Sequence, residues 1–226
     1  MELGLHGADP IGLYRACGIS PPSVIYDFST NTNVLPCPLP PLDMPGLIGR
    51  YPQGEGAALQ HQLAAQNGVE EQNILLVNGT NEAIYLIASY FAGQTVAVLQ
   101  PTYAEYGRAL HAYGVNVIHI FALSELPAQA KALFICNPNN PTGSYRPPAE
   151  LAAFAASHPR LTCVIDEAYR DFLATPPPDA PFAALPNVLV LRSLTKIYHL
   201  SGLRIGYLLC AEDWGNGCRR ASRAGV

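Results

Sequence analysis

Short apolar segments that alternate with helical segments are the feature that most constrains the fold of this 226-residue chain. The run Ala-Leu-Phe-Ile-Cys at 132–136 is apolar throughout, which is typical of a strand buried on both faces of a sheet. Strands that alternate with helices form a mainly parallel sheet covered by helices on both faces, so the sequence predicts an α/β fold with seven strands. The predicted strands are 74–77, 95–99, 115–120, 132–136, 162–165, 188–191 and 205–209. The predicted helices are 10–17, 55–66, 81–91, 104–113 and 148–157.

Polar clusters follow five of these strands at the point where each strand ends. In such a sheet, ligands bind beyond the carboxyl ends of the strands, which share one edge. Turn residues scattered at random would occur at both edges, so this bias predicts a functional site at the carboxyl edge. The clusters are 78–81, 101–103, 137–143, 166–169 and 193–196.

Composition argues against several classes of partner. Hydrophobic residues make up 49% of the chain and charged residues 13%, which fits a large buried sheet and not a disordered chain. The net charge of −4 gives no electrostatic argument for binding nucleic acid or an anionic membrane, and no apolar run has transmembrane length. None of the six cysteines forms a Cys-x-x-Cys pair, so we expect reduced thiols of a cytoplasmic protein and neither disulfides nor a metal site.

The loop between the last two predicted strands carries Ser193, Lys196 and Arg204. A lysine amine forms a Schiff base when its surroundings lower its pKa, although a lone loop lysine is more often simply solvated. Ser193 and Arg204 are a hydroxyl donor and a fixed cation that suit a phosphate. Residues 79–81 open a helix, either as an anion site made of backbone N–H groups or as an ordinary helix start with a hydroxyl cap. Taken together, these groups predict a three-sided phosphate cup.

Other groups at the same edge match an aromatic ring. Asp166 ends a buried strand, where an unpaired carboxylate is costly, so it needs a cationic partner such as a protonated ring nitrogen. Asn140 and Tyr169 are neutral donors that suit a phenolate oxygen, and Tyr103 offers a flat face. A phosphorylated aromatic aldehyde that condenses with lysine matches this set, and pyridoxal 5'-phosphate is such a cofactor.

Three motifs in this order and spacing carry a resemblance to a known family. They are Asn-Pro-Asn-Asn-Pro-Thr-Gly at 137–143, Asp-Glu-Ala-Tyr at 166–169 and Ser-Leu-Thr-Lys at 193–196. From residue 6 to about residue 209, the chain resembles the fold-type I pyridoxal-phosphate enzymes of the class I/II aminotransferase group. Within the group it is most similar to threonine-phosphate decarboxylases of cobalamin biosynthesis and next to histidinol-phosphate aminotransferases. The resemblance implies the large domain of that fold, without its small C-terminal domain.

The resemblance also implies a role for each matching residue. Lys196, Asp166 and Tyr169 would be catalytic: Lys196 would hold the cofactor and move protons, Asp166 would keep the pyridine nitrogen protonated, and Tyr169 would bond the phenolic oxygen. Tyr51 would reach the cofactor phosphate from the other subunit, which implies a homodimer. The other cofactor-binding residues would be Gly79, Thr80, Asn81, Tyr103, Asn140, Ser193 and Arg204. The substrate's phosphate or carboxylate would face His6, Gly7, Asn31 and Asn140.

The implied reaction is the decarboxylation of a small phosphorylated amino acid, L-threonine O-3-phosphate, to (R)-1-aminopropan-2-yl phosphate for the cobalamin side chain. One alternative is a histidinol-phosphate-type aminotransferase, and another is an inactive fragment that only binds the cofactor. A nicotinamide-binding domain is disfavoured because no Gly-x-Gly-x-x-Gly follows the first strand.

The family pattern divides the chain into three parts. Residues 1–50 would form an N-terminal segment that contributes to the substrate site and the dimer, 51–210 the cofactor-binding large domain, and 211–226 an atypical tail. The chain departs from the pattern at Ala8, which replaces a glycine, and at 33–36, where Asn-Val-Leu-Pro replaces Asn-Pro-Leu-Gly. The tail lacks helical periodicity, so we expect a truncated or frameshifted reading frame without the small domain and its carboxylate-binding arginine.

Overall fold

A computed structural model describes residues 9–35, 37–49, 54–175, 182 and 185–223. In this part of the chain, one seven-stranded sheet forms the centre of the fold. Its strands are β1 (Ile74–Val77), β2 (Thr95–Leu99), β3 (Asn116–Ile120), β4 (Ala132–Cys136), β5 (Thr162–Asp166), β6 (Val188–Ser193) and β7 (Gly206–Leu209). The α-helices are α1 (Pro10–Ala16), α2 (Met44–Ile48), α3 (Ala57–Asn67), α4 (Gly79–Tyr90), α5 (Glu105–Ala112), α6 (Pro148–Ser157) and α7 (Glu212–Arg223).

The strand order is β1-β7-β6-β5-β4-β2-β3. Strands β2 to β6 pair in parallel, whereas β7 lies antiparallel between β1 and β6. The prediction of a mainly parallel seven-stranded sheet is therefore confirmed. Because β7 is antiparallel to β6, the loop that joins them lies at the carboxyl edge, where the polar clusters gather.

Successive side chains of each strand belong to two different hydrophobic clusters, one on each face of the sheet. In β2, Val96 and Val98 pack in a cluster that includes residues of α4 and α5, whereas Ala97 packs in a cluster with residues of α6. All five residues of β4 are buried, as its continuous apolar run predicts. Helices therefore cover both faces and leave the carboxyl edge open for a site.

The helix α7 corrects one expectation. The tail was interpreted as lacking helical periodicity, but residues 212–223 form a helix. Trp214 packs on Tyr90 of α4 with ring centroids 4.9 Å apart, and Cys218, one turn further along, is fully buried. A Cβ on Gly217 would overlap the Tyr90 hydroxyl, so this glycine lets the helices approach closely. Glycine lowers helix propensity and so concealed the pattern. The proposed domain boundary at residue 210 stays a prediction.

The short helix α2 was not predicted because prolines dominate its surroundings. Asp43 caps it by accepting a hydrogen bond from the Gly46 N–H at 3.1 Å, and Pro45 occupies its first turn, where a missing N–H has no consequence. No helix in the described part of the chain is both long enough and apolar enough to cross a membrane.

Candidate active site

A cavity of about 540 Å³ opens at the carboxyl edge of the sheet, a size that suits a small-molecule ligand. The structure brings together around it every described residue that the sequence singled out for the site. These are Asn31, Gly79, Thr80, Asn81, Tyr103, Asn140, Asp166, Tyr169, Ser193, Lys196 and Arg204. Three further predicted site residues, His6, Gly7 and Tyr51, lie outside the described residues.

One wall of the cavity is the amino end of α4 with Arg204 beside it. Gly79 has φ +74°, and a Cβ there would lie 3.0 Å from Nη2 of Arg204, so glycine allows the guanidinium to approach the helix. Gly206 likewise allows β7 to approach the Thr80 amide, which would lie 3.2 Å from its Cβ. The helix begins at Gly79, and its N-cap residue, Asn78, makes no side-chain capping hydrogen bond. The alternative of an ordinary helix start with a hydroxyl cap is therefore not what the structure shows. The amino end of α4 and the Arg204 guanidinium together suit an anion.

The loop between β6 and β7 holds Lys196 in a partly buried position. Burial, and then the nearby charge of Arg204, lower the pKa of Lys196, whereas the charge of Asp166 raises it. The ammonium nitrogen lies 5.8 Å from the ring centroid of Tyr169. The Ser193 hydroxyl, at the start of the loop, lies 2.9 Å from the Thr195 hydroxyl. Burial and Arg204 therefore favour the neutral form of the amine, which is the nucleophilic form.

Asp166 is a buried carboxylate at the end of β5, with 4% of its surface exposed. Burial raises its pKa, and this effect is opposed by hydrogen bonds from the Tyr106 hydroxyl and the Ala168 amide and by the charge of Lys196. The Tyr106 hydroxyl donates to Oδ2 at 2.7 Å and the Ala168 N–H to Oδ1 at 3.0 Å. A carboxylate held in this way can accept a hydrogen bond from a cationic ring nitrogen.

No role was predicted for Tyr106 from the sequence, although it lies in the predicted helix 104–113. Its side chain is fully buried and meets the Tyr103 ring edge-on, with centroids 5.6 Å apart. Burial raises the pKa of Tyr106, so the hydroxyl remains a donor to Asp166. The spacing of the two tyrosines, three residues apart at the amino end of α5, was the signal that could have indicated a shared site. The Tyr103 hydroxyl in turn lies 3.3 Å from Oδ1 of Asn81.

The N-terminal segment supplies another wall of the cavity. Phe28, Ser29 and Thr30 line it, and none of the three was predicted as a site residue from the sequence. Asn31 accepts a hydrogen bond from the Tyr169 hydroxyl at 2.7 Å, so it lies next to the residue predicted to bond the phenolic oxygen. Burial is the main cause that raises the pKa of Tyr169 to about 12, so this hydroxyl is protonated and able to donate at neutral pH.

The charge pattern of the cavity decides which ligands fit it. An anion site, a buried carboxylate and an amine with a lowered pKa match a phosphorylated ring that carries a basic nitrogen and an aldehyde. Cys136 also lines the cavity, and burial raises its pKa to about 12, which keeps its thiol neutral. Among the described residues, no group of three or more His, Cys, Asp or Glu side chains could hold a metal ion.

A comparison with protein families decides the classification. The profile of the family described as aminotransferase class I and II matches residues 41–226. The chain belongs to this family. A relative named threonine-phosphate decarboxylase, from Salmonella typhimurium, is 34% identical over 92% of this chain and 62% of its own length. A histidinol-phosphate aminotransferase from Moorella thermoacetica is 35% identical over 70% of this chain and 45% of its own length.

Solved structures of family members give the same picture. An L-threonine-O-3-phosphate decarboxylase from Porphyromonas gingivalis matches with a TM-score of 0.73 and 28% identity, over 79% of this chain and 56% of its own. A histidinol-phosphate aminotransferase from Sinorhizobium meliloti, solved with pyridoxal-5'-phosphate, matches with a TM-score of 0.72 and 26% identity, over 77% of this chain and 52% of its own. The chain thus spans between about half and three fifths of the length of these relatives, and its fold is that of the fold-type I large domain.

Proposed function

We propose that this family member binds pyridoxal 5'-phosphate covalently through Lys196 and decarboxylates L-threonine O-3-phosphate. The observation that supports this most strongly is that Lys196, Asp166 and the anion site at Gly79 and Arg204 surround one cavity. Gly79, Asp166 and Lys196 follow or end three different strands, and the three features match three different parts of one cofactor. No single one of them would support the proposal alone.

Each residue then has a definite task. When bound, the cofactor supplies an electron sink for the pair released as a bond to the substrate Cα breaks. Asp166 would accept a hydrogen bond from the ring nitrogen and keep it protonated, while Tyr169 would donate its hydroxyl proton to the phenolic oxygen in place of Asn31. Lys196 holds the cofactor and then moves a proton at the substrate carbon. The amino end of α4 and Arg204 hold the cofactor phosphate, so that the cofactor stays in place during these steps.

The choice of decarboxylation depends on the comparison across the whole chain. The decarboxylase relative matches 92% of the chain, including segments that the 70% match to the aminotransferase leaves out. The two relatives have similar identity, so transamination of histidinol phosphate or a related amino acid is the second candidate. A chain that binds the cofactor without turnover is the third, since even the decarboxylase match covers only 62% of that relative.

We propose further that the active form is a homodimer, in which Tyr51 of one subunit reaches the cofactor phosphate of the other. Large apolar side chains of the N-terminal segment are exposed in the single chain: Tyr26 is 82% exposed, Phe28 95% and Val34 76%. Burial of these side chains against a second copy of the chain would stabilise a dimer, which supports the proposal. Sedimentation velocity of the purified chain tests this. A dimer is expected at micromolar concentration, and a monomer with cofactor bound would contradict the proposal.

The lysine content of the chain gives a sharp test of cofactor attachment. The sequence contains only two lysines, Lys131 and Lys196, and Lys131 is exposed at the start of β4. After cofactor is added and the protein is reduced with borohydride, peptide mass spectrometry should find the adduct on Lys196. The Lys196→Ala variant should lose both the adduct and the visible absorbance, whereas Lys131→Ala should retain both. An adduct mainly on Lys131 would overturn the assignment.

Product analysis separates the candidate reactions. Incubation with threonine phosphate should release carbon dioxide and aminopropanyl phosphate. A keto product, with the cofactor left in its amine form, would instead establish transamination. Binding of cofactor with neither product would identify the third candidate.

A further inference from the structure

The N-terminal strap, which we define as residues 28–33, borders the cavity on the side of Tyr169. Its first four residues line the cavity, and Asn31 accepts the Tyr169 hydroxyl hydrogen bond at 2.7 Å. The lysine loop, which we define as residues 194–205, follows more than 160 positions later in the chain. The two segments meet at Asn33, the last residue of the strap.

Asn33 makes three contacts with the lysine loop. Its backbone N–H donates to the Lys196 carbonyl at 2.9 Å, and its side-chain amide donates to the Ile197 carbonyl at 2.8 Å. Its own carbonyl oxygen lies 2.5 Å from Nδ1 of His199. The side-chain oxygen of Asn33 accepts the Leu35 N–H at 3.0 Å, just beyond the strap. The backbone and the side chain of this strap residue are thus both bonded to the lysine loop.

The lysine loop needs such support because its backbone is held in unfavourable conformations. His199 has φ 56° and Arg204 has φ 50°, both in the left-handed region that residues other than glycine rarely occupy. Such conformations persist only where the surroundings determine them, and they cluster at functional sites. The contacts from Asn33 fall on the first four residues after Thr195, between the reactive lysine and the left-handed His199.

We propose that Asn33 is a positioning residue that couples the strap to the lysine loop, so that neither is ordered without the other. The inference rests on the proposed function only in taking Lys196 as the residue that reacts. Asn33 does not line the cavity, whereas Asn31 and Lys196 do, so it acts through its neighbours in the chain. Since coupling is reciprocal, a ligand that contacts the strap would also order the lysine loop.

Hydrogen exchange of the cofactor-free full-length chain tests the coupling. Asn33→Asp keeps the acceptor for the Leu35 N–H but removes the donor to the Ile197 carbonyl. Loss of one such bond should raise exchange about 3- to 10-fold in peptides of both the strap and the lysine loop. Asn33→Ala removes both side-chain bonds and should act more strongly. Unchanged exchange in the sheet strands would show that both variants are folded.

Asn187 provides a matched control, because its side-chain amide also donates only to backbone carbonyls. It bonds the carbonyls of Ala155, His158 and Leu161 at 3.0, 3.2 and 3.0 Å, ahead of β6. Asn187→Ala should raise exchange around those contacts and lower the free energy of unfolding. It should leave the strap and the lysine loop as they are in the wild type.

The reactivity of Lys196 is the readout that a merely structural role would not change. Arg204, Asp166 and Tyr169 face its amine, and burial together with Arg204 lowers its pKa. Acylation of the cofactor-free chain should therefore show the pH profile of Lys196 shifted upward in both Asn33 variants, as its amine becomes more exposed. Lys131 in the same sample serves as an internal reference and should not change.

Two results would overturn the proposal. One is faster exchange of the strap with an unchanged lysine loop in both variants, and the other is an unchanged pH profile for Lys196. Both readouts use the chain without cofactor, so they are independent of whether it binds pyridoxal 5'-phosphate. Adding the cofactor to the wild type tests that separately.

Discussion

Asp166 and Glu167 are consecutive carboxylates whose neutralisation should have opposite effects on stability. Asp166 faces the cavity, whereas Glu167 contacts Arg192 at 2.6 Å, with 2% and 7% of the two side chains exposed. Because burial raises the pKa of Asp166, the folded chain binds this proton more tightly than the unfolded chain. The free energy of unfolding therefore falls as the pH rises above the ordinary value of 3.8. At pH 7, Asp166→Asn should stabilise the cofactor-free chain.

The same substitution should weaken cofactor binding. Removing one partner of a buried charge pair costs about 2–5 kcal/mol, which corresponds to roughly 30-fold to several-thousand-fold in affinity. Glu167→Gln instead breaks a buried ion pair within the protein and should lower the free energy of unfolding by about 3–5 kcal/mol. Its effect on cofactor affinity should be much smaller, because Glu167 does not line the cavity.

Urea unfolding of the cofactor-free variants and absorbance titrations with pyridoxal 5'-phosphate measure both quantities. Repeating the unfolding at a series of pH values above 3.8 should show a weaker pH dependence for Asp166→Asn than for the wild type. The reasoning would be refuted if Asp166→Asn lowered the free energy of unfolding or retained wild-type affinity for the cofactor.

Three further substitutions test separate parts of the site. Tyr106→Phe removes a hydrogen bond to a carboxylate and should weaken cofactor binding by about 1.5–3 kcal/mol, measured by the same titration; an unchanged affinity would contradict the role of the hydroxyl. Arg204→Gln removes a charge that lowers the pKa of Lys196, so acylation of that lysine in the cofactor-free chain should require a higher pH. Trp214→Ala removes the aromatic contact between α7 and α4 and should lower the free energy of unfolding by less than the about 3–5 kcal/mol of a fully buried tryptophan, because Trp214 is partly exposed; the cofactor titration checks whether the site is disturbed.

The sheet could be predicted closely from the sequence because buried parallel strands are apolar at nearly every position. The predicted bounds of β1, β2 and β4 match the structure, and the other strands differ by three residues or fewer in length. The helix α7 could not be recognised in the same way. Its side chains pack on α4 through a glycine that permits close contact, and propensity along the chain carries no signal for such a contact.

Site residues that directly follow strands could be predicted from the sequence. Hydrogen bonds between residues far apart in the sequence could not. Position at the carboxyl edge indicated Asp166 and Lys196 before any coordinates. The hydrogen bond from Tyr106 to Asp166 joins residues 60 positions apart, and the bond from Tyr169 to Asn31 joins residues 138 positions apart. Nothing in local spacing specifies such pairings, because they depend on how α5 and the N-terminal segment pack against the sheet.

The antiparallel β7 brings two of the proposed cofactor-binding residues onto one loop. Ser193 pairs with Gly206 across β6 and β7, so one closed loop carries both Lys196 and Arg204. The amine that would react and the cation that would anchor the phosphate therefore lie on the same loop, eight positions apart in the sequence. An insertion or deletion between Lys196 and Arg204 would change the distance between amine and cation, whereas substitutions elsewhere in the sheet could accumulate without altering it.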